Sequence, residues 1–411
     1  MSEIGPQRTQ KRLDKIVSSD QLSGGNFQKF LEESPHLHVT THDVDSIVKG
    51  LRKKPWCFGE YKMENWGNRL HAVAPYIGRI KPAFAHWLIR ICSKPGDIVL
   101  DPFCGIATVP LECDLLERKA VGFDLNPYAV VIGRAKFDRR PLQENLEWLR
   151  NVELPIEKVD IDKISLYIKQ FYHEKTLGEL YALKEKIVQD KMEFLLGCLL
   201  GICHGHRPQY LSAWTGYIVP FEPKTSPEYK EVIPRMIAKV KRTYQTTFPL
   251  KTDGNVFQAD VRKIPIPENS IDIIISSPPY FDTIDYVGTN RLRLAILGYE
   301  DVKKTDLQKK MIHDAKTYLS EMKSVGEEIT RVLKNNSLCI FVLGDVHRPS
   351  RSINTAEEVS RVYKDLGFRI YGVIEDEIPV ARRTALKWAG SDALKTKRKK
   401  FDRILVMQLK K

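Results

Sequence analysis

The stretch best equipped for chemistry is Ser277-Pro278-Pro279-Tyr280, which closes the apolar, β-branched run Ile271-Asp272-Ile273-Ile274-Ile275-Ser276. Two successive prolines remove two N–H donors from any ladder, so a strand must stop there. A hydroxyl, two stiff peptide units and an aromatic ring are left at its carboxyl end. Ser277 Oγ and the Pro278 carbonyl are neighbouring acceptors suited to the two hydrogens of an –NH2 group. Pro279 holds that carbonyl fixed, and Tyr280 offers a face for a planar ring. A plain strand exit with a proline turn has the same sequence, so this stretch does not decide alone.

A second stretch narrows the choice. Asp97 to Leu100 runs as a strand into Asp101-Pro102-Phe103-Cys104-Gly105-Ile106-Ala107-Thr108, a small-residue turn that opens a helix. Ala120-Val121-Gly122-Phe123 is a second short strand, ending at Asp124-Leu125-Asn126. Strand, turn, helix, strand, acid is the pattern of the nucleotide-binding half of a doubly wound α/β fold, where the second acid accepts from ribose hydroxyls. No Gly-Lys-Ser/Thr follows the turn, and Asp101 would repel a phosphate. The expected ligand is therefore an adenosine-containing cofactor with positive charge.

Taken together, residues 101–108 and 277–280 resemble the S-adenosyl-L-methionine-dependent amino-methyltransferases of DNA, over about residues 66–140 and 255–411. The serine-first tetrapeptide is similar to the branch acting on the N4 amine of cytosine, whereas the adenine branch more often opens with Asp or Asn. The resemblance implies a Rossmann-like methyltransferase sheet with a helical insertion, and catalysis at Ser277, Pro278, Pro279 and Tyr280. It implies cofactor contacts from Tyr76 and Gly78, from Asp101, Pro102, Phe103, Cys104, Gly105 and Thr108, and from Asp124, Leu125 and Asn126. Asp260 and Val261 complete that set, with Asp260 on the adenine amino group. The segment from Pro75 to Pro82 would hold the methionine end at the start of a helix from Ala83 to Cys92. Asp285 and Tyr286 are secondary candidates. The family usually has Gly where this chain has Ala107, and if that position needs φ > 0, alanine costs about 1–2 kcal/mol.

The elements that must position these groups divide the chain into four parts. Residues 1–50 read as a tail and cover, 51–140 as the cofactor-binding half of the catalytic domain, 141–250 as a helical insertion, and 251–411 as the substrate half. In the insertion, Leu180, Leu183 and Ile187 share a helical face, and 192–203 reads as a buried helix. The loop after it carries His204, His206, Arg207, Gln209, Tyr210, Ser212 and Trp214, groups able to stack on bases or read their edges. Arg235, Lys239 and Arg242, at i, i+4 and i+7, predict a basic helical face. These features make the insertion the candidate for target recognition. Strands at 256–261, 337–345, 368–374 and 403–409 complete the sheet, the last two antiparallel and Asp260 ending a strand beside that of Asp124.

Charge points to the partner. The 411 residues carry a formal charge of +13, which favours an anionic macromolecule. Residues 382–400 hold eight basic side chains against Asp392 alone, an excess of +7 suited to DNA phosphates. The expected substrate is double-stranded DNA with the target base flipped out, alongside companion restriction or defence proteins. Seven cysteines without a C-x-x-C pair predict a reducing, cytoplasmic setting. No signal peptide is evident, and the apolar run 194–203 is about half a membrane span. His36, His38, His42, His204 and His206 lack metal-ligand spacing, so no metal is expected. The absence of a Pro-Cys dipeptide argues against carbon-5 methylation through a cysteine adduct. Adenine-N6 transfer, RNA guanine-N2 transfer and non-catalytic nucleic-acid binding are the alternative readings.

Overall fold

A computed structural model describes residues 43–63, 66–205, 209–216, 219–245, 250, 254–280, 284–299, 301–347, 352–378 and 401–411. The basic run 382–400, the tail 1–42 with His36, His38 and His42, and the loop residues His206 and Arg207 lie outside the described residues.

The apolar runs form one seven-stranded sheet: β1 (Ile98–Asp101), β2 (Lys119–Asp124), β3 (Asn255–Gln258), β4 (Ile271–Ser276), β5 (Leu333–Gly344), β6 (Phe368–Glu377) and β7 (Phe401–Leu409). The strand order is β3-β2-β1-β4-β5-β7-β6. The first five strands are parallel, and β7 enters antiparallel between β5 and β6. This is the doubly wound, Rossmann-like sheet with a closing antiparallel pair that the sequence predicts.

Both faces of the sheet are covered, and successive residues of each strand feed different cores. Val99, Ile275 and Val342 pack with α1 (Val44–Arg52), α2 (Pro82–Cys92) and α3 (Thr108–Leu115). Leu100, Ile274 and Phe341 pack on the other side with α9 (Tyr318–Val332) and α10 (Thr355–Asp365). Helix α2 begins one residue before the predicted Ala83, because Pro82 occupies its first turn, where no N–H partner is missed.

The insertion consists of α5 (Leu142–Asn151), α6 (Glu174–Gln189), α7 (Glu193–Cys203) and α8 (Val232–Tyr244). These helices share one apolar cluster with α4 (Pro127–Ala135), the helix that follows β2. Helix α7 is buried all round and passes very close to its neighbours. A Cβ on Gly201 would sit 2.1 Å from the Val73 carbonyl oxygen, so only glycine fits. The insertion is thus packed against α4 and the residues around Val73.

That packing overturns the predicted basic face of α8. Lys239 points inward, is 6% exposed, and donates from Nζ to the Ala72 carbonyl at 2.8 Å. Periodicity alone placed it outside, but α8 lies against α7 and the 69–72 turn, and a long lysine stem reaches across the apolar contact to an unpaired carbonyl. His204 is likewise buried, with Nδ1 2.9 Å from Ser212 Oγ. Among the described residues no helix is long and apolar enough to cross a membrane.

Candidate active site at the carboxyl edge of the sheet

Parallel strands present their carboxyl ends at one edge, and the register brings the sequence candidates there. Asp101 ends β1 opposite Gly122 of β2, and Asp124 ends β2 opposite Gln258 of β3. Ser276 ends β4 opposite Phe341 of β5, and Gly344 ends β5 opposite Asp402 of β7. A cleft of about 850 Å³ opens over this edge. It is lined by Tyr76, Gly78, Asp101, Pro102, Phe103, Cys104, Gly105, Thr108, Asp124, Leu125, Val261, Ser277 and Pro279 from the candidate set.

The turn after β1 is held by its own sequence. Gly105 adopts φ +50 and donates its N–H to Asp124 Oδ2 at 2.9 Å, while Cys104 N–H donates to the Phe123 carbonyl at 2.9 Å. Asp124 Oδ1 accepts from Asn126 N–H at 2.8 Å. Asp101 Oδ1 accepts from Ser276 Oγ at 2.5 Å and from Phe103 N–H at 3.3 Å. Neither carboxylate has an Arg or Lys partner among the described residues. Burial pushes Asp101 up to about 7 and Asp124 up to about 6, so each favours a cation brought into the cleft. The Thr108 hydroxyl, at the start of α3, is buried with no hydrogen-bond partner among the described residues.

Ala107 has φ +56 and ψ +54, the left-handed conformation that the glycine of the family pattern would supply. The conditional strain of about 1–2 kcal/mol therefore applies. Lys136 is buried beneath, its Nζ 3.5 Å from the Ala107 carbonyl oxygen, and burial pushes its ammonium well below the usual range.

Four candidates lie elsewhere than the cleft wall. Asp260 does not end the strand as expected: β3 ends at Gln258, and each Asp260 oxygen accepts from Arg262, at 2.8 Å from Nε and 2.5 Å from Nη2. Arg262 also binds Glu321, so the acid belongs to a surface ion network, and its neighbours Ala259 and Val261 face the cleft. Asn126 is fully buried, and its side chain accepts from Tyr128 N–H at 3.0 Å as the cap of α4. Pro278 is buried beneath the turn. Tyr280 turns toward β5 and β7, and its hydroxyl donates to Asp402 Oδ1 at 3.0 Å. Ser277 Oγ donates to the Val342 carbonyl at 3.1 Å.

Of the secondary pair, Tyr286 lines the cleft with its ring 6.1 Å from that of Tyr76. The Asp285 carboxylate instead accepts from Val287 and Gly288 N–H groups, closing a turn. Arg79, Ile80, Ala259, Met311, Ile312 and His313 also line the cleft and were not singled out by sequence. Arg79 and Ile80 fall inside the Pro75 to Pro82 segment, which was a usable signal. Residues 311–313 sit in an irregular connection with no motif, and only the fold brings them to the edge.

Residues 52–134, which hold β1, its turn, β2 and most of α4, match a family model described as DNA methylase. The chain is similar in sequence to DNA methyltransferases. The type II methyltransferase M.MjaII of Methanocaldococcus jannaschii is 27% identical over a match covering 26% of this chain and 23% of M.MjaII. The type II methyltransferase M.AvaI of Nostoc is 22% identical over 75% of this chain and 80% of its own. The alignment thus spans under a quarter of M.MjaII but most of M.AvaI. A solved S-adenosylmethionine-dependent methyltransferase from Methanosarcina mazei overlaps 76% of this chain and 92% of its own, at 9% identity and a TM-score of 0.31.

Proposed function

We propose that this chain is a DNA methyltransferase that moves a methyl group from S-adenosyl-L-methionine to the exocyclic N4 amine of cytosine, as the modifying partner of a restriction or defence system in the cytoplasm. The observation that carries the reading is the meeting of Ser277 and Pro279 with Asp101 and Asp124 in one cleft.

The lining fits the proposed cofactor. Two buried carboxylates without a countercharge suit a cationic ligand, the unpartnered Thr108 hydroxyl suits a polar group, and Phe103, Leu125, Ala259 and Val261 suit a flat aromatic ring. Asp124 still has lone pairs for vicinal hydroxyls after accepting two backbone N–H groups. When bound, S-adenosyl-L-methionine supplies an electrophilic methyl group on a sulfonium.

The remaining work belongs to the tetrapeptide. An exocyclic amine shares its lone pair with the ring and is a poor nucleophile unless its hydrogens are held. With its own proton given to Val342, Ser277 Oγ can only accept from the amine. A neutral acceptor contributes about 0.5–1.5 kcal/mol, so alignment of the amine outweighs basicity. The serine at position 277, where the adenine branch more often carries Asp or Asn, supports cytosine as the base.

The test is transfer of tritiated methyl to double-stranded DNA and to RNA, followed by separation of the nucleosides. We expect label in N4-methylcytosine from DNA. Label in N6-methyladenine or in RNA guanine would replace the substrate assignment, and no label with intact cofactor binding would remove the reaction. Ser277→Ala should lower kcat about tenfold, about 1.4 kcal/mol, with cofactor affinity unchanged.

A further inference from the structure

The proposed catalytic tetrapeptide contains no carboxylate, yet the fold brings one to its phenol from a strand 122 residues away. Tyr280 OH donates to Asp402 Oδ1 at 3.0 Å. The ring lies directly against Gly344, where an added Cβ would be 2.6 Å from Tyr280 Cε2. Gly344 and Asp402 are themselves partners across the β5–β7 pair. The next residue, Arg403, is clamped by Asp345 at 2.6 and 2.9 Å and by Glu375, which fixes that end of β7.

From this arrangement we infer that Asp402 is a positioning residue for Tyr280, setting both the tilt of its ring and the direction of its hydroxyl. The inference rests on the methyl-transfer reading above. A tyrosine side chain has two soft torsions and a rotatable O–H. Contact with Gly344 limits ring position on one side, and the carboxylate draws the phenol oxygen to one point. With its proton committed to Asp402, the phenol cannot donate to a base. It offers only its ring face and an oxygen lone pair. A ring polarised by an adjacent carboxylate also better accommodates the positive charge that grows on an amine as it is alkylated.

The test is a double-mutant cycle in the full chain, with Tyr280→Phe, Asp402→Ala and the pair together, plus Asp402→Asn as the variant that keeps an acceptor. Three quantities are read: kcat for methyl transfer to DNA, affinity for S-adenosylhomocysteine, and the 13Cζ resonance of Tyr280 in tyrosine-labelled protein, assigned by its loss in Tyr280→Phe. We expect Asp402→Ala to lower kcat about tenfold, leave S-adenosylhomocysteine affinity within twofold, and shift the Tyr280 resonance. It should cost nothing further on the Tyr280→Phe background, and Asp402→Asn should retain most of kcat. The inference falls if the two losses multiply, or if the Tyr280 resonance ignores both Asp402 variants. If the resonance responds but the wild-type chain transfers no methyl to DNA, the contact stands and the proposed function falls.

Discussion

The sheet edge and the helical insertion both bury charged groups, and they treat them in opposite ways. In and around the insertion three buried cations meet backbone carbonyls: Lys239 at Ala72, Lys184 at Ile296 and Arg293 at His204, all between 2.8 and 3.0 Å. Those cations point at fixed dipoles and are not among the residues lining the cleft, which fits a structural role. At the sheet edge, Asp101 and Asp124 are held by N–H and O–H donors but have no countercharge among the described residues, and they open on a cleft. Buried charge completed by the protein itself marks scaffold, and buried charge left for a ligand to complete marks the site.

The largest effect we expect is on the scaffold side. Gly201→Ala forces a methyl into the Val73 carbonyl and should cost about 3 kcal/mol in a denaturant melt. A loss under about 1 kcal/mol would mean that the insertion is not part of the core.

On the site side, Asp124→Asn should leave the melt intact while weakening S-adenosylhomocysteine at least about tenfold, about 1.4 kcal/mol, read by calorimetric titration. Unchanged affinity would place the ligand elsewhere.

The two carboxylates also predict a pH dependence with a definite sign. An unfolded Asp titrates at about 3.9, while Asp101 is pushed up to about 7 and Asp124 to about 6. Between about pH 4 and 7 the folded state therefore holds more protons than the unfolded, so the ligand-free protein should lose stability as pH rises through that window. Asp101→Asn should flatten the slope. Over the same window, affinity for the sulfonium cofactor should rise relative to its neutral thioether product, and parallel behaviour of the two would count against a carboxylate–cation contact.

Smaller effects separate strain from charge. Ala107→Gly exchanges about 1–2 kcal/mol of left-handed strain for about 0.5–1 kcal/mol of added chain entropy, so a slight net gain in stability is expected by thermal melt. Smallest of all, Lys239→Met should leave DNA affinity within twofold in a binding titration. A clear loss would restore the exposed basic face that the structure denies.

Legibility in the sequence followed the range of the interactions. The runs at 98–101, 119–124 and 271–276 announce parallel strands because both faces are covered and their inner positions are mostly apolar. The turns after β1 and β4 announce themselves because glycine and proline act locally. The Asp260–Arg262 pair was not legible because an acid after a strand looks the same whether it faces a ligand or an arginine two residues on. Lys239 misled because helical spacing gives a face but not the neighbour that covers it.

By itself, then, the amino-acid sequence determined the strands, their polar endings and the identity of the groups at the sheet edge, since these depend on propensity and on a few adjacent residues. Only the tertiary structure decided which acids lack a countercharge, which lysines turn inward, and that Asp402 reaches Tyr280. Those outcomes depend on register and packing between residues more than a hundred positions apart, where no local preference speaks.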